Sequence, residues 1–255
     1  LKEPITVKVS DESGNPVGGS SVSFVAQGGG NALNSAVVAD ALGHASTEWD
    51  LGPKAGPQTL IATSAGLAGS PIVLRASAKG GAARSLAIAK GLPGPTATAG
   101  AIVEVSIRAL DRFSNPVEGV EVVWKSGGCA ATVVPERAAT DTNGVAAVRW
   151  SLDSKLADCL LEARCAGLAG PPLRLEVRTV PGAPAKVEIL EGEGQRAPVL
   201  TAVPVAPLFR VVDALGNPVP GVRISVRFGA AGTPTLPELT GPDGLARAPE
   251  WRLRA

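Results

Sequence analysis

Apolar and polar residues alternate with a period of two in short blocks along almost the whole chain. Ile5, Val7 and Val9 alternate with Thr6, Lys8 and Ser10, and a later block sets Val105, Ile107 and Ala109 against Ser106 and Arg108. Successive side chains of an extended strand point to opposite faces, so each block predicts a strand with one buried and one wet face. The same rhythm runs through Val22 and Phe24, through Val120, Val122 and Trp124, and through Val222, Ile224 and Val226. Ala45, Thr47, Trp49 and Leu51 match Ala146, Val148, Trp150 and Leu152; Leu60 and Ala62 match Leu161 and Ala163. Ile72, Leu74 and Ala76 match Leu173, Leu175 and Val177. Gly, Pro, Asn and Asp separate the blocks, and no stretch of useful length carries a helical period.

These matches are parts of an internal repeat. Asp11-Glu12-Ser13-Gly14-Asn15-Pro16-Val17 recurs as Asp111-Arg112-Phe113-Ser114-Asn115-Pro116-Val117 and as Asp213-Ala214-Leu215-Gly216-Asn217-Pro218-Val219. A second marker is Asp40-Ala41-Leu42-Gly43, then Asp141-Thr142-Asn143-Gly144, then Gly241-Pro242-Asp243-Gly244. The third is a tryptophan, at Trp49, Trp150 and Trp251. Three markers at one period of about 100 residues, with six or seven short strands between them, give the size and rhythm of an immunoglobulin-like β-sandwich. The expected fold is all-β: tandem immunoglobulin-like β-sandwiches arranged as an extended rod. Ser85-Leu86-Ala87-Ile88-Ala89 and Ala185-Lys186-Val187-Glu188-Ile189 read as the opening strands of copies two and three. The expected division is 1–79, without its first strand; 80–180, complete; and 181–255, without its last strands. On this reading the chain is a piece of something longer.

Composition narrows the chemistry. Of 255 residues, Lys and Arg total 24 and Asp and Glu 23, a net charge of +1. That balance offers no electrostatic footprint for nucleic acid or an anionic membrane, and no apolar run approaches the roughly 18 residues of a membrane helix. One histidine, no tyrosine and an aromatic share of 3% leave little for proton transfer, metal binding or glycan stacking. Neither an enzyme nor a cofactor is expected.

The residues resemble a known family: the bacterial Ig-like domain, group 1, of invasin- and intimin-type surface proteins. The resemblance rests on Asp-x-x-Gly-Asn-Pro-Val-x-Gly at 11–19 and 213–221, and on Thr140-Asp141-Thr142-Asn143-Gly144-Val145-Ala146 leading to Trp150. Ala65-Gly66-Leu67-Ala68-Gly69-Ser70-Pro71 and Pro181-Gly182-Ala183-Pro184-Ala185-Lys186 fit it too. Ser114 in place of glycine and Pro249 ahead of Trp251 depart from it. The resemblance implies a stalk or spacer of a bacterial cell-surface or secreted adhesin-like protein. Its partners would be neighbouring Ig-like repeats of the same chain, with any host or surface ligand bound elsewhere. A binding or accessory module of an extracellular enzyme or surface-binding protein is the alternative.

Several residues are candidates for more than packing. In such a sandwich the strands flanking Cys129 and Cys159 are antiparallel neighbours, so a disulfide between them is expected; pairs involving Cys165, or three free thiols, are the alternatives. Cys165 shares the inward parity of Leu161 and Ala163 and is expected in the core. Trp49, Trp150 and Trp251 share one phase and are expected to be core residues. Asp11, Asp111 and Asp213 stand before Asn-Pro turns, where a carboxylate fixes the turn through backbone hydrogen bonds; calcium ligation is the competing role. His44 reads as a surface residue. Gly28-Gly29-Gly30 and Gly80-Gly81 read as a loop and a linker, since no P-loop lysine follows either.

Overall fold

A computed structural model describes residues 3–92, 94–226 and 238–248. Its regular structure is β throughout, and no helix occurs among the described residues. The middle copy shows the sandwich most fully. One sheet runs in the order Thr96–Thr98, Leu173–Val180, Asp158–Cys165, Glu121–Gly127 and Arg137–Ala139; the other runs Thr132–Val134, Val145–Ser151, Ile102–Leu110 and Ser85–Lys90. Pairing is antiparallel except for Thr96–Thr98, which lies parallel to Leu173–Val180.

The period-two alternation sets which side chains meet between the sheets. Val105, Ile107, Val148 and Trp150 from one sheet pack on Val122, Trp124, Leu161 and Val177 from the other. Side chains pointing the other way, such as Glu104 and Arg149, lie opposite one another on the wet face. In the first copy Val9, Val22, Phe24, Ala45, Trp49, Leu60 and Ala62 form the equivalent cluster. Its main sheet runs Ala36–Val38, Ser21–Ala26, Gly56–Thr63 and Ile72–Ala78, and Ile5–Lys8 pairs with His44–Thr47. In the third copy Pro184–Glu191, Leu208–Asp213 and Leu245–Arg247 make one sheet, with Val211, Val212, Val219 and Ala246 buried. Trp251 and Pro249 lie outside the described residues.

The two short markers hold the ends of these strands together. Ala109 donates its N–H to Gly144 O at 2.9 Å, and its carbonyl accepts from Val117 N at 3.0 Å. Both turns therefore close on one residue of the strand between them. Gly144 lies at φ +71°, and a Cβ there would stand 2.9 Å from both Ala109 O and Val117 N. Glycine is thus required for its conformation and for the space.

The alternation did not reveal the parallel strand Thr96–Thr98. It is only three residues long, and its register with Leu173–Val180 depends on a partner about 80 residues away. The segment 192–207 between the first two strands of copy three, largely without regular structure, was likewise not foreseeable from a period-two pattern.

Candidate functional site

The Asp-x-x-(Gly/Ser)-Asn-Pro turn begins as a local device. Asp11 Oδ1 accepts the N–H of Ser13 at 3.0 Å and of Asn15 at 2.8 Å, while Asn15 Nδ2 donates to Oδ2 at 3.0 Å. The same bonds recur at Asp111 from Phe113, Asn115 and the Asn115 amide, and at Asp213 from Leu215, Asn217 and the Asn217 amide. One carboxylate oxygen caps the turn and the other fixes the asparagine side chain.

In copies two and three the device also reaches outside its own turn. Asp111 Oδ2 accepts the N–H of Gly81 at 3.0 Å, and Asp213 Oδ2 accepts that of Gly182 at 2.9 Å. Gly81 and Gly182 lie in the stretches that lead out of the preceding copy. The asparagines go further. Asn115 Nδ2 donates to Pro53 O at 2.6 Å, and Asn115 Oδ1 accepts the N–H of Ala55 at 2.9 Å. Asn217 Nδ2 donates to Ser154 O at 2.9 Å, and Lys155 Nζ donates to Leu215 O at 3.4 Å. Pro53 and Ser154 occupy matching places in the loop that follows the tryptophan strand of the preceding copy. Each Asp-Asn pair therefore ties three segments: its own turn, the incoming linker and a loop of the copy before.

Burial follows the same division. Asp111, Asn115, Asp213 and Asn217 are 6%, 8%, 4% and 3% exposed, whereas Asp11 and Asn15 are open to solvent. The Gly81 N–H, with the Asn115 side chain and the turn amides, holds the Asp111 carboxyl far below its ordinary value. Burial works to raise that of Asp213, but the bonds from Gly182, Asn217 and Leu215 outweigh it and lower it to about 2. Asp11 is lowered too, chiefly by Asn15. Both oxygens of Asp111 and Asp213 face N–H donors, the reverse of what a cation requires from its ligands. No group of three or more His, Cys, Asp or Glu side chains placed to hold a metal occurs among the described residues.

The other candidates fall elsewhere. Cys129 and Cys159 are joined by a disulfide with Cα atoms 5.1 Å apart. Cys129 follows the strand Glu121–Gly127, whose partner strand Asp158–Cys165 carries Cys159 near its start. Cys165 is a free, buried thiol, and burial raises its pKa. Trp49 and Trp150 are buried in their clusters, and Trp150 Nε1 donates to Ser126 Oγ at 3.1 Å. His44 is solvent-exposed, its Nδ1 3.9 Å from Asp40 Oδ2. Sequence reasoning named the aspartates as turn formers and Gly80-Gly81 as a linker, but assigned Asn115, Asn217, Gly81 and Gly182 no contact between copies. The available signal was the recurrence of the two glycines and of the two asparagines at the repeat spacing.

No protein-family model and no curated protein matches the sequence. Solved structures do. The Escherichia coli adhesin FdeC superposes with a TM-score of 0.67 at 16% identity, covering 95% of this chain and 80% of that one. InvD of Yersinia pseudotuberculosis gives 0.58 at 16% identity, covering 98% of this chain and 78% of that one. At such identity the likeness shows the fold alone: the chain is all-β, with immunoglobulin-like β-sandwiches in tandem.

Proposed function

We propose that the chain is a non-catalytic stalk segment of a bacterial cell-surface or secreted adhesin-type protein, divided as 1–79, 80–180 and 181–255. The observation that carries this reading is the joint: the same Asp and Asn side chains tie each of two successive copies to its predecessor through the same kinds of backbone atoms. A spacer has to transmit distance and direction, and buried hydrogen bonds across each junction resist bending there. The likeness to FdeC and InvD supports the adhesin-type surface setting.

Small-angle scattering on the chain tests this. A compact body of 255 residues has a radius of gyration of about 18 Å. A stalk is expected to exceed that value clearly, and replacing Asn115 and Asn217 by alanine is expected to broaden its distance distribution. A wild-type radius at the compact value would overturn the reading.

A further inference from the structure

Asn143 is the one asparagine in the sequence that a glycine follows. Asn15, Asn115 and Asn217 each precede a proline, whose nitrogen has no hydrogen to give up. Asn31 and Asn34 precede Ala and Ser, whose Cβ atoms crowd the approach that glycine leaves open. An asparagine before glycine can modify itself in water. The glycine nitrogen attacks the side-chain carbonyl carbon Cγ and closes a five-membered imide; the Cγ–Nδ2 bond breaks, and ammonia leaves with the proton of the glycine N–H. Water then opens the ring on either side. Opening at Cγ gives aspartate. Opening at the main-chain carbonyl gives isoaspartate, in which the backbone runs through Cβ and Cγ and is one atom longer.

The fold governs both the reaction and its consequence. Asn143 is exposed on the Asp141–Gly144 turn, while Gly144 is buried. The Gly144 N–H donates to Asp141 O at 2.8 Å, and Asp141 Oδ1 accepts the N–H groups of Asn143 and Val145 at 2.9 and 2.8 Å. To reach Asn143 Cγ, the nitrogen has to leave Asp141 O, and Gly144 has to shift from its close place against Ala109 and Val117. Copy three shows which product the turn accepts. Asp243 stands there where Asn143 does, yet Gly244 still donates to Gly241 O and accepts from Val211 N, both at 2.9 Å. A carboxylate at this position is therefore tolerated. An added backbone atom is a different matter, because it falls between Asp141 O and Gly144 N, the two atoms the turn brings together. Gly144 O in turn holds the N–H of Ala109, two residues before Asp111, whose carboxylate takes the Gly81 N–H of the incoming linker.

We propose that Asn143-Gly144 is a self-modification site that reacts only when its turn opens, and that its isoaspartyl product releases Ala109 and loosens the joint between copies one and two. The inference does not depend on the stalk reading. Its test incubates the whole chain at neutral pH in native buffer and in urea, with peptide mapping to follow the mass gain at Asn143. Asp243-Gly244 can close the same ring by losing water, and the lack of a mass change sets it apart. Conversion at Asn143 is expected to be at least about tenfold slower in the native chain, the factor set by a local opening that costs about 1.4 kcal/mol. The isoaspartyl chain, separated and returned to native buffer, is then compared with the wild type and with Asn143→Asp by hydrogen exchange. Asn143→Asp is expected to match the wild type, while the isoaspartyl chain exchanges the amides of Ala109 and Gly81 faster. Equal conversion rates in both buffers would overturn the gating by the turn. Exchange in the isoaspartyl chain equal to that of Asn143→Asp at Ala109, or at Gly81, would overturn the link to the joint.

Discussion

Ser114 carries a small strain that the other copies avoid. It sits at φ +65°, where Gly14 and Gly216 take +84° and +79°. An L-residue in the left-handed region pays roughly 1–2 kcal/mol in steric repulsion, part of which glycine returns to the unfolded chain as entropy. Ser114→Gly is therefore expected to raise the stability of the middle copy by up to about 1 kcal/mol, read from urea denaturation. Trp150 lies at the other extreme. It is fully buried and its indole N–H is bonded to Ser126, so Trp150→Ala is expected to cost about 3–5 kcal/mol, a large share of what holds a domain of this size. Asp213 gives a pH signature. Its carboxyl is lowered to about 2 from an ordinary 3.8, so its ionised form favours the folded state. That contribution is complete above about pH 4 and disappears as pH falls towards 2. Denaturation midpoints between pH 2 and 6 should fall more steeply for the wild type than for Asp213→Asn; parallel slopes would refute the assignment.

At the scale of elements, two copies close the same corner by different chemistry. Cys129 and Cys159 join the loop after one strand to the start of the next across 30 residues. In copy one, Gln58 stands at the corresponding place, 101 residues before Cys159. Its side chain accepts from Gly52 N at 2.7 Å and donates to Gly52 O and Lys54 O at 3.1 and 2.7 Å. A cross-link of that span is worth about 3–4 kcal/mol on the chain-entropy model. A thiol titration of the unreduced, unfolded chain should find one free group, Cys165; three would remove the cross-link. Reduction should destabilise copy two and leave copy one untouched. The strands were legible because Val105, Ile107 and Ala109, or Leu161 and Ala163, announce a buried face through spacing alone. The turn bonds of Asp111 were also within reach, since Phe113 and Asn115 are two and four residues away. Its bond to Gly81, and those of Asn115 to Pro53 and Ala55, join positions 30 to 62 residues apart. No local pattern encodes that proximity. Gln58 stayed hidden for a similar reason: a glutamine in an apolar strand discloses nothing until the carbonyls it serves are in view.

At the scale of the whole molecule, the joints decide whether the copies act as one body. Asn115→Ala deletes the contacts to Pro53 and Ala55 yet leaves the fold of each copy its own core. It is expected to lower cooperativity between copies one and two, splitting one thermal transition into two in calorimetry, with little change in circular dichroism. An unchanged single transition would show that the Asn115 bonds add nothing to the linker itself. The joints also have a consequence for how such a chain can change. Pro53 and Ser154 both present a backbone carbonyl, which is nearly indifferent to side-chain identity, and Asn115 and Asn217 present the same amide to it. The connectors are thus interchangeable parts. Removing one whole period would bring the Pro53 loop against Asn217, and duplicating one would recreate a contact already in use. Length can then be gained or lost in whole steps by recombination between like sequences, without any new interface having to be invented.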